Sequence, residues 1–260
     1  MMQNPVLRLI RIPIKMPALA RWAADRGWVQ RHGFDEGRAL HHLLSETFGK
    51  AVVQPFRLLV PPRTTVGNLY AYATASVEVL RETAQAIALP ESLAVLALAE
   101  LGEKLMPATW TTGQRLGFDL QTRPVRRLNS DILSVRNGSK FAKGAEIDAF
   151  LSHVLRADPD ATPADNAATR EAVYLDWLAE RLAGAAELHL SSTRMVRFQR
   201  SRVARGDAGP EGPEAVFHGT FAIADPAQFA TLLAHGVGRH RAYGYGMLLL
   251  RAPNQPIPDR

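Results

Sequence analysis

The stretch Gly236-Val-Gly-Arg-His-Arg-Ala-Tyr-Gly-Tyr-Gly246 says most about the fold, because of what lies on either side of it. A helical pattern precedes it, and a short apolar strand from Met247 to Arg251 follows. A dinucleotide-binding fingerprint has the opposite order, with a strand before the glycines and a helix after them. A nucleotide P-loop needs Gly-Lys-Ser or Gly-Lys-Thr, which the chain lacks. The order helix, glycine loop, strand therefore excludes both phosphate-binding motifs.

The residue types of this glycine loop favour contact with a polyanion. Glycine allows positive φ and lets backbone amides come close to phosphate groups. Arginines 239 and 241 supply charge, and tyrosines 243 and 245 supply planes on which bases can stack. The alternative is a glycine-rich turn that only connects a helix to a strand.

Length and composition indicate a folded chain with one or two domains. Its 260 residues are 47% apolar, which is enough for substantial cores. No run approaches the roughly 18 apolar residues of a membrane span, and the first residues lack a secretory pattern, so we expect a cytoplasmic location without a membrane partner. The absence of cysteine excludes disulfides, zinc fingers, iron-sulfur clusters and a thiol nucleophile.

The basic residues are strongly biased towards arginine. Of 31 basic residues only five are lysines, so 26 are arginines, and the formal net charge is +6. Arginine binds phosphate bidentately and stacks on bases, so the bias favours nucleic acid. A GC-rich genome would produce part of the same bias.

Periodicity predicts an α+β protein made of tandem ferredoxin-like (RRM-like) domains, residues 1–127 and 128–260. The first half shows the order β, α, β, β, α, β of that fold. Strands are predicted over residues 6–14, 56–60, 69–74 and 116–125, and helices over residues 35–48 and 77–105, the second interrupted at Pro90. The second half has a helix, a hairpin, a helix starting at Asp225-Pro226, the glycine loop and a last strand, with the first helix and the hairpin strands predicted over residues 169–182, 187–203 and 215–224.

Several stretches resemble the CRISPR repeat-processing endoribonucleases of the RAMP superfamily, which pair two ferredoxin-like domains. The glycine loop is the most specific of them. The others are Phe217-His-Gly-Thr-Phe221, Asp225-Pro226, Phe56-Arg-Leu-Leu-Val-Pro61, Gly117-Phe-Asp-Leu-Gln-Thr-Arg-Pro124 and Arg170 to Leu182. These stretches resemble segments of the subtype that serves the E-type Cascade complex.

The resemblance implies metal-independent cleavage of precursor CRISPR RNA at a repeat hairpin, with no cofactor. A 2′-hydroxyl attacks the adjacent phosphorus, which leaves a cyclic phosphate, and the protein stays on the mature guide RNA. The implied partners are the repeat hairpin and the other subunits of a Cascade-like or type IV effector complex. A non-catalytic RAMP subunit that only binds guide RNA, and a general RNA-binding protein, are the alternatives.

The resemblance also points to the catalytic candidates. In the family a histidine near the first helix commonly transfers a proton, and His41 matches it. Three residues earlier the family often has a tyrosine; here Arg38 takes that place, and this departure points to a divergent branch, for example one from the type IV systems. Arginine is too basic to be an ordinary base but can stabilise phosphorane charge. Arg241 is the second cation. His240 is the alternative acid in a variant arrangement, although a solvated loop histidine is the simpler interpretation, and His42 is more simply explained as a surface residue.

The remaining candidates are expected to bind the RNA backbone. Arginines on the predicted hairpin and after the 116–125 strand supply charge, and the loop supplies glycines and side chains. They are Arg123, Arg126, Arg127, Arg194, Arg197, Arg200, Arg202, Gly236, Gly238, Arg239, His240, Tyr243 and Gly244.

Overall fold

The computed structural model describes residues 6–30, 33–135, 138–162, 168–202 and 211–253. Its internal contacts divide the chain into two compact units. Of the described residues, the first unit holds those within 6–110 and 230–247, and the second holds those within 111–202, 211–229 and 248–253. The glycine loop therefore belongs to the unit built mainly by the amino-terminal half. The expected boundary between residues 127 and 128 stays a prediction.

The first unit is a four-stranded antiparallel sheet with helices. Its elements are β1 (Arg8–Lys15), α1 (Met16–Asp25), β2 (Val29–Gln30), β3 (Gly33–Phe34), α2 (Glu36–Phe48), β4 (Phe56–Leu59), β5 (Val66–Ala73), α3 (Val77–Ile87), α4 (Pro90–Val95), a 3-10 turn (Leu98–Glu100) and β6 (Gly102–Leu105). The sheet order is β4-β5-β1-β6, and β2 pairs with β3 apart from it. Ile10, Ile12 and Ile14 of β1 are fully buried, because alternate residues of a strand share one face. Leu40 and Leu43 of α2 lie in the same core.

The second unit is built on a five-stranded sheet. Its elements are β7 (Arg115–Thr122), β8 (Val125–Arg127), β9 (Ile132–Leu133), β10 (Lys140–Phe141), β11 (Glu146–Asp148), α5 (Ala149–Ala157), α6 (Arg170–Leu182), β12 (Ala186–Leu188), a 3-10 turn (Leu190–Ser192), β13 (Arg194–Arg202), β14 (Glu211–Ile223) and β15 (Leu248–Arg251). Helix α7 (Pro226–His235) follows β14. The sheet order is β12-β14-β7-β15, with β13 also paired to β14. Two small ladders, β8 with β11 and β9 with β10, complete the unit.

The tandem ferredoxin-like fold is confirmed: β5 and β1 lie at the centre of the first sheet, and β14 and β7 lie at the centre of the second. The prediction that residues 116–125 close the first sheet is wrong. Leu120 of β7 lies opposite Phe217 of β14 and Leu248 of β15, so β7 opens the second sheet. The first sheet is closed by β6, which lies at the end of residues 77–105, a run predicted as helix. That run as a whole is rich in alanine and leucine, but β6 itself is Gly-Glu-Lys-Leu, a short edge strand defined by its pairing with β1 and not by an apolar pattern.

Two helices, α1 and α5, were not predicted. Pro17 occupies the first turn of α1, where proline suits a helix start. Asp148 caps α5 by accepting a hydrogen bond from the amide of Phe150 at 2.8 Å. Within the described ranges, no helix is both long and apolar enough to cross a bilayer.

Candidate active site

Helix α2 holds two of the catalytic candidates at the edge of the first core. Asp35 caps its start, since one carboxylate oxygen accepts a hydrogen bond from the amide of Arg38 at 2.9 Å. The helix ends at Gly49, whose φ of 92° favours glycine. Leu40, Leu43 and Leu44 are buried, which leaves Arg38 and His41 half-buried beside the core. The helix predicted from Asp35 to Phe48 is therefore confirmed.

The glycine loop is closed at its base and carries a short turn. The amide of Val237 donates to the carbonyl of Gly246 at 2.7 Å. Between these ends, Arg241–Tyr243 forms a 3-10 turn, flanked by His240 and Gly244 in the left-handed region. The turn is therefore held by its backbone and is not an open coil.

Helix α2 and the turn at residues 241–243 touch each other within the first unit. A Cβ atom on Gly37 would lie 2.7 Å from the carbonyl oxygen of Tyr243, so only glycine fits this approach. The rings of His41 and Tyr243 are 5.0 Å apart at their centroids. His41 also forms a hydrogen bond with the backbone of Ala242. The structure thus brings together His41 and the turn that contains Arg241.

Partial burial lowers the pKa of His41 below its ordinary value of 6.5. The hydrogen bond with the backbone of Ala242 raises the pKa in part, and the positive charge of Lys50 lowers it further. The pKa of His42 is lowered by burial and by the neighbouring His41 and Arg38. His41 is therefore mainly neutral at pH 7, in the form that can accept a proton.

A shallow, open depression lies beside His41. It is lined by residues of α2, by the chain that follows α2, and by Ala242 of the turn. Lys50 follows Gly49 and is exposed. Sequence reasoning missed Lys50 as a site residue; the signal available was a rare lysine placed directly after the helix that carries His41.

The two candidate arginines are held differently. The guanidinium carbon of Arg38 lies 4.9 Å from the centre of the Trp28 ring. Arg241 donates through Nη1 to the carbonyl of His235, the last residue of α7, at 2.8 Å. Because a guanidinium has five N–H donors, this bond uses only a fraction of its capacity. Arg241 therefore caps a helix as well as lying in the turn beside His41.

The other loop candidates differ in exposure. Gly236, Gly238 and Gly244 all have positive φ, as expected. Arg239 is exposed, while His240 and Tyr243 are half-buried. Tyr245 is only 8% exposed, so it does not offer a stacking plane to a base.

In the second unit, the arginines after β7 are already engaged with protein groups. Arg123 is 3% exposed and donates to the hydroxyl and the carbonyl of Ser201. A side chain buried in this way supports β13 and is not placed to touch RNA. Arg126 pairs with Glu180 at 2.8 Å, and Arg127 donates to the carbonyl of Gly144 at 3.1 Å.

Arginines 194, 197 and 200 of β13 are exposed and only partly neutralised. Arg194 donates to the carbonyls of Leu190 and Thr193. Arg197 pairs with Glu214 at 3.2 Å. Arg200 donates to the carbonyl of Glu211 at 3.3 Å. The strand ends at Arg202, whose side chain is not among the parts that the structure describes.

The observed architecture is that of a tandem ferredoxin-like protein with a glycine loop between its last helix and last strand. The chain belongs to the CRISPR associated protein family, whose model matches residues 8–252. No curated protein matches the sequence significantly.

Solved structures of similar proteins cover nearly the whole chain. Cse3 of Thermus thermophilus, bound to an RNA representing a pre-cleavage complex, is 19% identical with a TM-score of 0.59, over 95% of this chain and 99% of that chain. Cas6e of Escherichia coli K-12 is 15% identical with a TM-score of 0.58, over 94% and 99%. A chain of a CRISPR RNA-guided surveillance complex is 15% identical with a TM-score of 0.52, over 94% and 99%. At these identities the likeness shows the fold.

Gly37→Ala should separate α2 from the turn and slow RNA cleavage by about tenfold to a hundredfold, because a misplacement of about 1 Å can cost up to about 10² in rate. The helix itself is not weakened, since alanine has the greater helix propensity. Gly102→Ala is the control, because a Cβ atom there meets nothing closer than Arg11 Nε at 3.7 Å. The comparison is made by single-turnover cleavage of a repeat hairpin. Equal rates for Gly37→Ala and the control would contradict the close contact.

Proposed function

We propose that the protein is a metal-independent endoribonuclease that cuts precursor CRISPR RNA at repeat hairpins and stays bound to the mature guide. One observation carries the proposal. A histidine with a lowered pKa, His41, is held against the turn at residues 241–243, with cations nearby. Membership of the CRISPR associated protein family supports the substrate class.

The chemistry proposed at this site is transesterification by the RNA itself. The 2′-hydroxyl loses its proton and attacks the adjacent phosphorus, and the 5′-oxygen of the next nucleotide leaves with a proton. The products are a 2′,3′-cyclic phosphate and a 5′-hydroxyl. Neutral His41 accepts the 2′ proton, or its protonated form supplies the proton to the leaving oxygen.

Cations around His41 are proposed to stabilise the charge that develops on phosphorus. Arg38 lies one helical turn before His41, on a neighbouring face of α2. Arg241 lies in the adjacent turn, and Lys50 is close enough to lower the pKa of His41. Fixed positive groups aimed at the phosphorane act where charge increases in the transition state.

Binding of the hairpin backbone is assigned to exposed arginines of β13 in the second unit. A duplex RNA is recognised largely through phosphate and shape, which suits a row of arginines along a strand. Arg194 fits this role because its contacts are with backbone carbonyls. Arg200 donates to one carbonyl and lies 3.9 Å from the carboxylates of Asp148 and Glu211, and Asp148 keeps its closer pair with Arg170 at 2.8 Å when Arg200 is removed. Arg197 is less suitable for a test, because its partner Glu214 is almost buried and would lose this ion pair, keeping hydrogen bonds from Gln121 and Gln199.

Replacing both Arg194 and Arg200 by alanine should weaken hairpin binding and lower its dependence on salt. Each lost phosphate contact removes about 0.7 to 0.9 from the slope of log affinity against log salt concentration. Filter binding across a salt series measures the slope, and Arg115→Ala, an exposed arginine on β7, is the control. Cleavage of saturated RNA should change little. An unaltered slope would contradict the proposed contact between β13 and the RNA backbone.

The location and the partners are also proposals. We place the protein in the cytoplasm, as a subunit of a Cascade-like or type IV effector complex. The fold shared with a chain of a CRISPR RNA-guided surveillance complex supports this assignment.

Incubation of the purified protein with the repeat hairpin in EDTA tests the function. The expected result is one cut that leaves a cyclic phosphate, with the guide fragment retained. Tight binding without a cut would favour a non-catalytic guide-binding subunit. Equal affinity for unrelated hairpins would favour a general RNA-binding protein.

A further inference from the structure

Trp28 has a backbone position fixed by the end of α1. The amide of Gly27 donates to the carbonyl of Ala24 at 2.9 Å, and that of Trp28 donates to the carbonyl of Ala23 at 3.0 Å. These two bonds, with Gly27 at a φ of 69°, form a Schellman motif. The Trp28 side chain therefore starts from a well-defined point.

The Trp28 ring lies between the core and the exposed side of α2. On the core side it meets the edge of Trp22, with centroids 5.5 Å apart. Trp22 is 2% exposed and donates through its indole to the Ser92 hydroxyl at 3.1 Å, so it is a rigid support. Trp28 itself is only half-buried.

On the α2 side, Trp28 contacts two residues one helical turn apart. The guanidinium carbon of Arg38 lies 4.9 Å from its ring centre, and the His42 ring lies 4.7 Å away. His42 in turn lies 5.2 Å from His41. A row of ring contacts thus runs from Trp28 through His42 and His41 to Tyr243.

We propose that Trp28 is a positioning residue for the cleavage site, holding the Arg38 guanidinium and the imidazole of His42 before RNA arrives. This rests on the proposed function. An arginine on a helix surface samples many rotamers, and ordering it in the transition state lowers the rate. An aromatic ring attracts the guanidinium electrostatically and restricts it beforehand. Trp28 acts through Arg38 and touches no reacting atom.

The test compares Trp28→Leu, Trp28→Phe and wild type in single-turnover cleavage of the repeat hairpin at saturating protein. Trp28→Leu should slow cleavage of bound RNA by about 3- to 30-fold, the range that corresponds to a lost cation–π contact. The dissociation constant should stay within about twofold, and Trp28→Phe should recover most of the rate because the ring face is kept. Tyr70→Leu removes a half-buried ring elsewhere in the same unit and is the matched control.

A double-mutant cycle with Arg38→Gln separates positioning from a general structural effect. If Trp28 acts through Arg38, Trp28→Leu should cause little further loss in the Arg38→Gln background. Multiplying losses would overturn the proposal, as would weakened binding with an unchanged rate, which would assign Trp28 to stacking on a base. A wild-type protein that leaves the RNA uncut overturns the proposed function and this inference together. Cleavage by wild type and Trp28→Leu at equal rates overturns this inference alone.

Discussion

His41→Ala should slow single-turnover cleavage of bound repeat RNA by about 10² to 10⁴, the usual contribution of a proton-transfer group. Burial lowers the pKa of His41, and the contacts with Tyr243 and Ala242 hold its ring. Binding of the hairpin backbone is assigned to arginines of β13 and not to His41, so the dissociation constant should change little. Quenched-flow kinetics at saturating protein measures the rate, and filter binding of an uncleavable 2′-deoxy hairpin measures affinity.

The pH profile gives a second check on His41. Its pKa is lowered below 6.5, so the neutral form predominates at pH 7. If neutral His41 accepts the 2′ proton, the rate rises with pH through a limb below 6.5 and is level at neutral pH. If protonated His41 supplies the leaving proton, the rate falls through the same limb. In His41→Gln this limb should disappear. A loss below about tenfold in His41→Ala, or an unchanged limb in His41→Gln, would contradict a catalytic role.

Arg38→Ala should slow the same step by about 10² to 10³, the loss typical of removing one preorganised group that stabilises transition-state charge. Arg38→Lys should recover part of the rate, because it keeps the charge without the planar fork. Arg21→Ala, an exposed arginine on the neighbouring helix α1, controls for loss of positive charge. Equal rates for Arg38→Ala and Arg21→Ala would exclude Arg38 from the site.

The test of Arg241 needs a stability measurement that the test of Arg38 does not. Its guanidinium donates to the carbonyl of His235 at the end of α7, so Arg241→Ala removes a helix cap together with a cation. Thermal unfolding therefore has to accompany the kinetics. A slower rate at unchanged stability supports a part in the reaction.

Helix α2 was predictable because its signals are local. A capping aspartate, a stripe of leucines and a glycine stop are all read from neighbouring residues. The glycine loop was predictable for the same reason, since Gly236 and Gly246 both have the positive φ that only glycine adopts freely. Such signals gave part of the element order from which the tandem fold was predicted, whereas His41 was chosen on the family resemblance.

The parts that escaped prediction depend on contacts distant in sequence. Whether residues 115–122 join the first or the second sheet is decided by pairing with β14 and β15, and no local pattern encodes that choice. Buried Arg123 looks like any surface arginine in the sequence. Lys50 is identified as a site residue only because it lies near His41 in the folded unit, and Trp28 only because it lies near Arg38.

Photo-crosslinking tests most directly whether the reacting bond is held between α2 and the turn at residues 241–243. A repeat hairpin with a 2′-deoxy block and a 4-thiouridine at the cleavage site is bound, irradiated and digested, and the crosslinked peptides are identified by mass spectrometry. We predict crosslinks to residues 36–50 and 239–245. Crosslinks confined to the second unit would place the reacting bond elsewhere and contradict the proposed site.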